Sequence, residues 1–246
     1  MSGHDLLLDL PPLKAGQTRA VRQAAEKLGH PRLFTDTRHK AELLGKVRSG
    51  ICRRMAEHLR AACEPRITPG HAQFLNLDQI RGEDLVKRPK SAGPTAAAPD
   101  LAFAGWLWDE PRFTEAARTI VLRWAREAPP VGSDDDPEAR GHANALETGI
   151  VGMSFGWAAD FVWPSLSDAE RGDVVQHVRD YYIAYARNRR YTHERRKQVG
   201  FNMTLSAACG IGLASLAVAE HLDEEELDFA VGEAMQSAFA YQTPTA

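Results

Sequence analysis

Two apolar stretches decide the fold: residues 145–163, ALETGIVGMSFGWAADFVW, and residues 203–219, MTLSAACGIGLASLAVA. Each is apolar nearly all round, which is typical of a helix buried among other helices. The second stretch carries no charge, but it is near the minimum length of a membrane span and is rich in Gly, Ala and Ser. The sequence therefore predicts two buried helices and no membrane insertion.

The segments around these stretches have helical periodicity with polar faces. Residues 169–188 combine an apolar and aromatic stripe with charge on the opposite face, and Ser167 to Glu170 form a capping box. Further helices are predicted over residues 101–108, 113–126, 143–163, 202–221 and 224–241. Buried and half-exposed helices thus alternate. The pattern predicts an all-α fold with inner and outer helices in an incomplete α/α-toroid of hairpins, although an ordinary helical bundle stays open.

The first hundred residues are less regular. Residues 1–34 form an N-terminal extension with a short helix around residues 18–28, and residues 35–246 form the partial toroid domain. Thr35 and Asp36 are candidate caps for one amphipathic helix that reaches about Cys63. Five prolines between residues 64 and 99 predict a long surface loop.

Composition narrows the classes of function. The net charge of -3 over 246 residues gives no reason to expect nucleic-acid binding. The three cysteines show no CxxC spacing and no helical His pair occurs, so we expect free thiols, no metal and no cofactor. The N-terminus lacks the pattern of a signal peptide, which indicates the cytoplasm by default.

Four local patterns appear in order along the chain. They are PRLFT at residues 31–35, LAFAGWL with DEPRF at 101–113, GWAADF with LSDAER at 156–171, and NMT with GIGLA at 202–214. Together they resemble the N-terminal helical domain of heparinase II/III-like polysaccharide lyases. The resemblance covers about residues 30 to 241 and implies an α/α-toroid.

The resemblance also implies a reaction. In such lyases an Asn neutralises the carboxylate of a uronic acid sugar, a Tyr or His removes the C5 proton, and the glycosidic oxygen leaves by β-elimination. Asn202 falls on the matching position, whereas Met203 stands where some lyases have a His. The expected Tyr and a β-sandwich domain with a His would follow Ala246, and such relatives are often exported.

Several further residues are candidates for binding an acidic polysaccharide. Residues 187–197 carry six Lys or Arg against one acid, and Arg189, Arg190, His193 and Arg196 are the predicted substrate contacts, together with His142. A solvated loop is the alternative for this basic run, and N-capping is the alternative for Asn202. Trp106, Trp108, Trp157 and Trp163 are either sugar-stacking platforms or core residues.

Two other functions stay open at this point. One is a non-catalytic toroid scaffold or glycan-binding module, which suits Met203 and the missing Tyr and His. The other is a hydrolase, which needs paired carboxylates facing one cleft. Asp160 and Glu147 are the nearest candidates for such a pair.

Overall fold

The computed structural model describes residues 15–85, 93–128, 145–187 and 202–242, and these ranges are helical without a strand. The helices are α1 Ala15–Leu28, α2 Lys40–Lys46, α3 Gly50–Ile67, α4 Pro94–Trp108, α5 Pro111–Glu127, α6 Ala145–Val162, α7 Asp168–His177, α8 Asn202–Ala217 and α9 Glu224–Gln242. Helix α7 continues through a π-helical segment, Val178–Ile183, and a last turn, Ala184–Arg187. The all-α class is confirmed.

Three antiparallel hairpins form the body of the fold. They are α4–α5, α6–α7 and α8–α9, each joined by a short turn. The first turn reverses at Asp109, which caps α4 in the left-handed conformation at φ 52°. The second ends at the capping box, in which Ser167 and Glu170 hydrogen-bond to each other's backbone as predicted. Local signals therefore set where each hairpin turns.

The first helices of the hairpins, α4, α6 and α8, form one parallel inner layer. The glycines of α6 meet successive turns of α8 in the same direction: Gly149 at Ser206, Gly152 at Gly210 and Gly156 at Ala214. The last turns of α4 and α6 also meet, where Phe103 and Trp106 pack on Phe161. Glycine lets the backbones of α6 and α8 approach closely. Helices α4, α5 and α8 together surround α6, which accounts for its apolar surface all round.

The second helices of the hairpins form an outer layer. Arg118 and Arg126 of α5 pair with Glu170 and Asp173 of α7, so these two helices also run parallel. The described residues therefore make two layers of helices, and both layers contribute side chains to the apolar core.

Two predictions about the first hundred residues were wrong in detail. The single helix predicted up to Cys63 is two helices, because the chain breaks before Gly50, which has a φ of 59°. The predicted loop at residues 64–99 is shorter at both ends, since α3 continues through Pro65 and α4 begins at Pro94. A proline is tolerated in a first turn, which explains the early start of α4.

Helix α1 packs on α9 and on the turn after α8, with Ala25 buried. The N-terminal extension is thus part of the packed structure from α1 onwards. In α3 the apolar side chains of Ile51 and Met55 are 60% and 65% exposed. Within the described ranges, no helix has both the length and the apolarity needed to cross a bilayer.

Candidate functional site

The predicted site residues lie at the margins of the described chain. Asn202 is the first residue of α8, and only its backbone falls within the description. The predicted substrate contacts His142, Arg189, Arg190, His193 and Arg196 lie outside the described residues. Their roles therefore stay predictions.

The start of α8 lies beside the start of α6. The two helices are parallel and already touch at Gly149 and Ser206, within about one turn of their first residues. Two adjacent helix N-termini direct free N–H groups and positive dipole ends to the same side of the layer. In the first turn of α6, the buried hydroxyl of Thr148 has no hydrogen-bond partner. This arrangement favours an anionic oxygen at that end of the inner layer.

The opposite end of the inner layer is covered by residues 29–40, here named the strap. The strap meets the ends of α8, α6 and α4 in that order. Arg32 donates to the carbonyl of Ala217, the last residue of α8 (3.2 Å), and its backbone reaches Asp160 near the end of α6. Lys40 pairs with Asp109 at the end of α4 (2.5 Å). Cationic side chains at two of these helix C-termini, Arg32 at α8 and Lys40 at α4, oppose the negative ends of the helix dipoles.

Asp160 is the centre of the strap's contacts and is fully buried. Its Oδ2 accepts the backbone N–H groups of Arg32 (2.7 Å) and Leu33 (2.8 Å), and its Oδ1 lies 2.7 Å from His30 Nδ1. The imidazole of His30 stacks on Trp163, with ring centroids 4.8 Å apart. Because an ionised carboxylate is acceptor-only, three donors leave Asp160 well satisfied in the interior.

Glu220 closes the cluster from the turn after α8. Its oxygens lie 3.0 Å from His30 Nε2 and 2.5 Å from Arg32 Nη2. Burial opposes ionisation of Glu220, but the hydrogen bond with His30 and the charge of Arg32 prevail and hold its pKa at about 2. Arg32 Nη2 also lies 2.5 Å from His30 Nε2, so the outward nitrogen of His30 is enclosed by two charged groups.

This geometry disfavours the hydrolase alternative. Asp160 does converge with a second carboxylate, but its partner is Glu220 and both are held by Arg32 and His30. A hydrolytic acid and base must reach a sugar from opposite sides of a cleft. Asp160 instead fixes the strap to α6. The side chain of Glu147, its predicted partner, lies outside the description.

The four candidate tryptophans differ in burial. Trp163 is buried under His30, as a core residue. The other three candidates are half-buried: Trp106 and Trp108 lie beneath cationic side chains, and Trp157 meets the exposed ring of Phe34. They line the surface beside the strap, at the end of the inner layer away from Asn202.

A second polar cluster lies between the layers. Trp124, Phe155, His177 and Tyr182 pack ring against ring, with His177 at 4.8 Å from Phe155. The buried Nε2 of His177 and hydroxyl of Tyr182 have no hydrogen-bond partner. Burial lowers the pKa of His177 to about 3 and raises that of Tyr182. His177 is therefore neutral at physiological pH.

Thiol and metal chemistry have little support in the described residues. All three cysteines are free, and burial raises the pKa of Cys63 to about 12, which makes it a poor nucleophile. In the ranges that the structure covers, no three His, Cys, Asp or Glu side chains are grouped to hold a metal ion.

The ionic cluster is the feature that sequence reasoning missed. Its signals were present: Asp160 interrupts an otherwise apolar run, and His30 directly precedes the PRLF segment, which contains Arg32. A buried charge requires a partner, so Asp160 in a buried helix was enough to predict that a partner exists. The identity of that partner could not follow from the pattern, because His30 is 130 positions away.

Compared with protein-family models and with curated proteins, the sequence gives no match.

Proposed function

We propose that this chain is the helical part of an enzyme that cleaves uronic-acid-containing glycans by β-elimination, built on an α/α-toroid. The observation that carries the proposal is the adjacent start of two parallel inner helices, because Asn202 is the first residue of one of them. The all-helical hairpins support the proposal, and the resemblance to heparinase II/III-like lyases supplies the reaction type.

In this mechanism the Asn202 amide donates a hydrogen bond to the uronate carboxylate. The free N–H groups of the helix starts add to this stabilisation as negative charge develops in the transition state. A base takes the C5 proton, and the electron pair of the broken C5–H bond forms the C4–C5 double bond. The bond between C4 and the glycosidic oxygen breaks, and a proton goes to that oxygen. By the resemblance, the base is a Tyr or a His.

The basic run before α8 supplies the specificity in this proposal. Arg189, Arg190, His193 and Arg196, with His142 before α6, would meet the carboxylates of neighbouring sugars. Long-range attraction between such a run and a polyanion weakens as salt increases. Binding is therefore expected to fall with ionic strength.

The first experiment measures binding and cleavage by the purified chain. Polyuronates and sulfated uronate glycans are compared with a neutral glucan, and β-elimination is followed by the ultraviolet absorbance of the unsaturated product. Asn202→Ala is expected to abolish any cleavage and to weaken uronate binding about tenfold. Asn76→Ala is the matched control, because Asn76 caps a short turn at residues 77–79.

The outcomes separate the proposed function from its alternative. Uronate binding that is unchanged in Asn202→Ala would favour a glycan-binding module or scaffold, because the carboxylate would then be held by other residues. Equal affinity for the neutral glucan, or no binding to any uronate polymer, would overturn the lyase proposal.

A further inference from the structure

The strap touches every helix of the inner layer at the same end. From residue 30 to residue 40 it crosses α8, α6 and α4, and each crossing includes a charged contact: Glu220 at α8, Asp160 at α6 and Asp109 at α4. A single segment of chain therefore bridges the ends of three different hairpins.

The contacts within the inner layer are made by different atoms. Helices α6 and α8 meet backbone to backbone, because glycines at positions 149, 152 and 210 leave no side chain between them. Helices α4 and α6 also touch through aromatic side chains near the strap, with Phe103 and Trp106 against Phe161. Side chains can repack where a backbone contact cannot, so the spacing of α4 from the α6–α8 pair needs an additional constraint.

We infer that the strap sets the spacing of the inner helices and that Asp160 is its positioning residue. Asp160 anchors the first part of the strap through three hydrogen bonds, and Lys40 fixes the end of the strap on α4. Helices of 15 to 18 residues are about 25 Å long, so a change of tilt at the strap moves their first residues at the far end. The strap thereby controls how the N-termini of α4, α6 and α8 lie relative to one another.

The test is a distance between spin labels on the flanks of the inner layer. Labels are attached to Ala96→Cys in the first turn of α4 and Leu205→Cys in the first turn of α8, after Cys52, Cys63 and Cys209 are replaced. Both positions are half-exposed. Asp160→Asn removes the anchoring charge, and Lys40→Gln removes the contact on α4. Asp173→Asn, which breaks an outer-layer ion pair with Arg126, is the matched control.

Asp160→Asn and Lys40→Gln are expected to shift the mean label distance by about 2 Å or to broaden its distribution, with no change for Asp173→Asn. If Asp160→Asn does not fold, the label distance in Lys40→Gln tests the inference. A lower unfolding temperature with unchanged distances in the folded variants would overturn the inference, because the strap would then only stabilise.

The consequence for glycan binding rests on the proposed function, whereas the label distance does not. If the chain binds uronate glycans through Asn202, the strap variants should also weaken that binding while Asp173→Asn does not. Failure to bind any glycan would remove the proposed function and leave the distance result valid.

Discussion

The inner and outer helix layers are held together by different forces. Helices α6 and α8 touch through their backbones, and a Cβ at Gly149 would lie 2.2 Å from the Ser206 carbonyl carbon. Helices α5 and α7 meet partly through ion pairs, such as Arg126 with Asp173, whose side chains are 51% and 40% exposed. Close packing tolerates almost no added volume, whereas exposed ion pairs contribute little. The layers should therefore differ sharply in their response to substitution.

The largest expected effect comes from adding one carbon to the inner layer. Gly149→Ala should destabilise the fold by about 3 kcal/mol, because the methyl group collides with the backbone of α8 and the helices must separate. Chemical denaturation measures the change. Gly172→Ala in α7 is the control, since a Cβ there meets nothing within 4 Å and should stabilise by up to about 1 kcal/mol. Equal effects at both positions would contradict the close packing of α6 and α8.

A smaller effect is expected from His177, where α7 faces the core. The folded pKa of about 3 lies below the ordinary value of 6.5, so the unfolded chain binds a proton first as the pH falls. Stability is therefore lost between pH 6.5 and pH 3. At pH 5 this loss is about 2 kcal/mol relative to pH 8, and His177→Phe should abolish it.

Denaturation at both pH values for the parent chain and His177→Phe tests this prediction. His58→Phe is the matched control, because the His58 side chain is exposed. This substitution should leave the pH dependence of stability unchanged. A parent chain and a His177→Phe variant with the same pH dependence would show that His177 is not held neutral.

The smallest expected effect is at Glu220, in the turn that ends the inner helix α8. Its folded pKa of about 2 lies below 4.5, so its contribution is present above pH 4.5 and is lost as the pH falls towards 2. Glu220→Gln should lower the free energy of unfolding by about 1 kcal/mol at pH 7 and leave it unchanged near pH 2. The expected effect at pH 7 is small because solvent screens the partly exposed side chain.

The comparison for Glu220 is an outer ion pair. Glu225 pairs with Arg187, but its side chain is 88% exposed. Glu225→Gln should therefore change the stability at pH 7 by less than about 0.5 kcal/mol. If both variants lose the same stability, the strap cluster is no stronger than a surface pair.

The helical segments from Leu101 onwards could be predicted from sequence because their signals are local. Apolar periodicity, the Ser167 capping box and the turn at Asp109 act over one or two helical turns. The prediction failed near Gly50, where a positive φ breaks a helix whose apolar spacing continues across the break. Periodicity reports which face is apolar and does not report the conformation of a single backbone residue.

The candidate site also combines features that are local in sequence with features that depend on packing. The sequence by itself determined that Asn202 begins a buried helix, because the polar residue comes directly before an uncharged apolar run. Only the tertiary structure decided that this helix starts beside α6 and that the strap joins His30, Asp160 and Glu220. Those partners are 130 and 190 positions apart, and it is the packing of three hairpins that brings them together. Local patterns fix each helix, whereas the pairing of distant charges depends on how the helices pack.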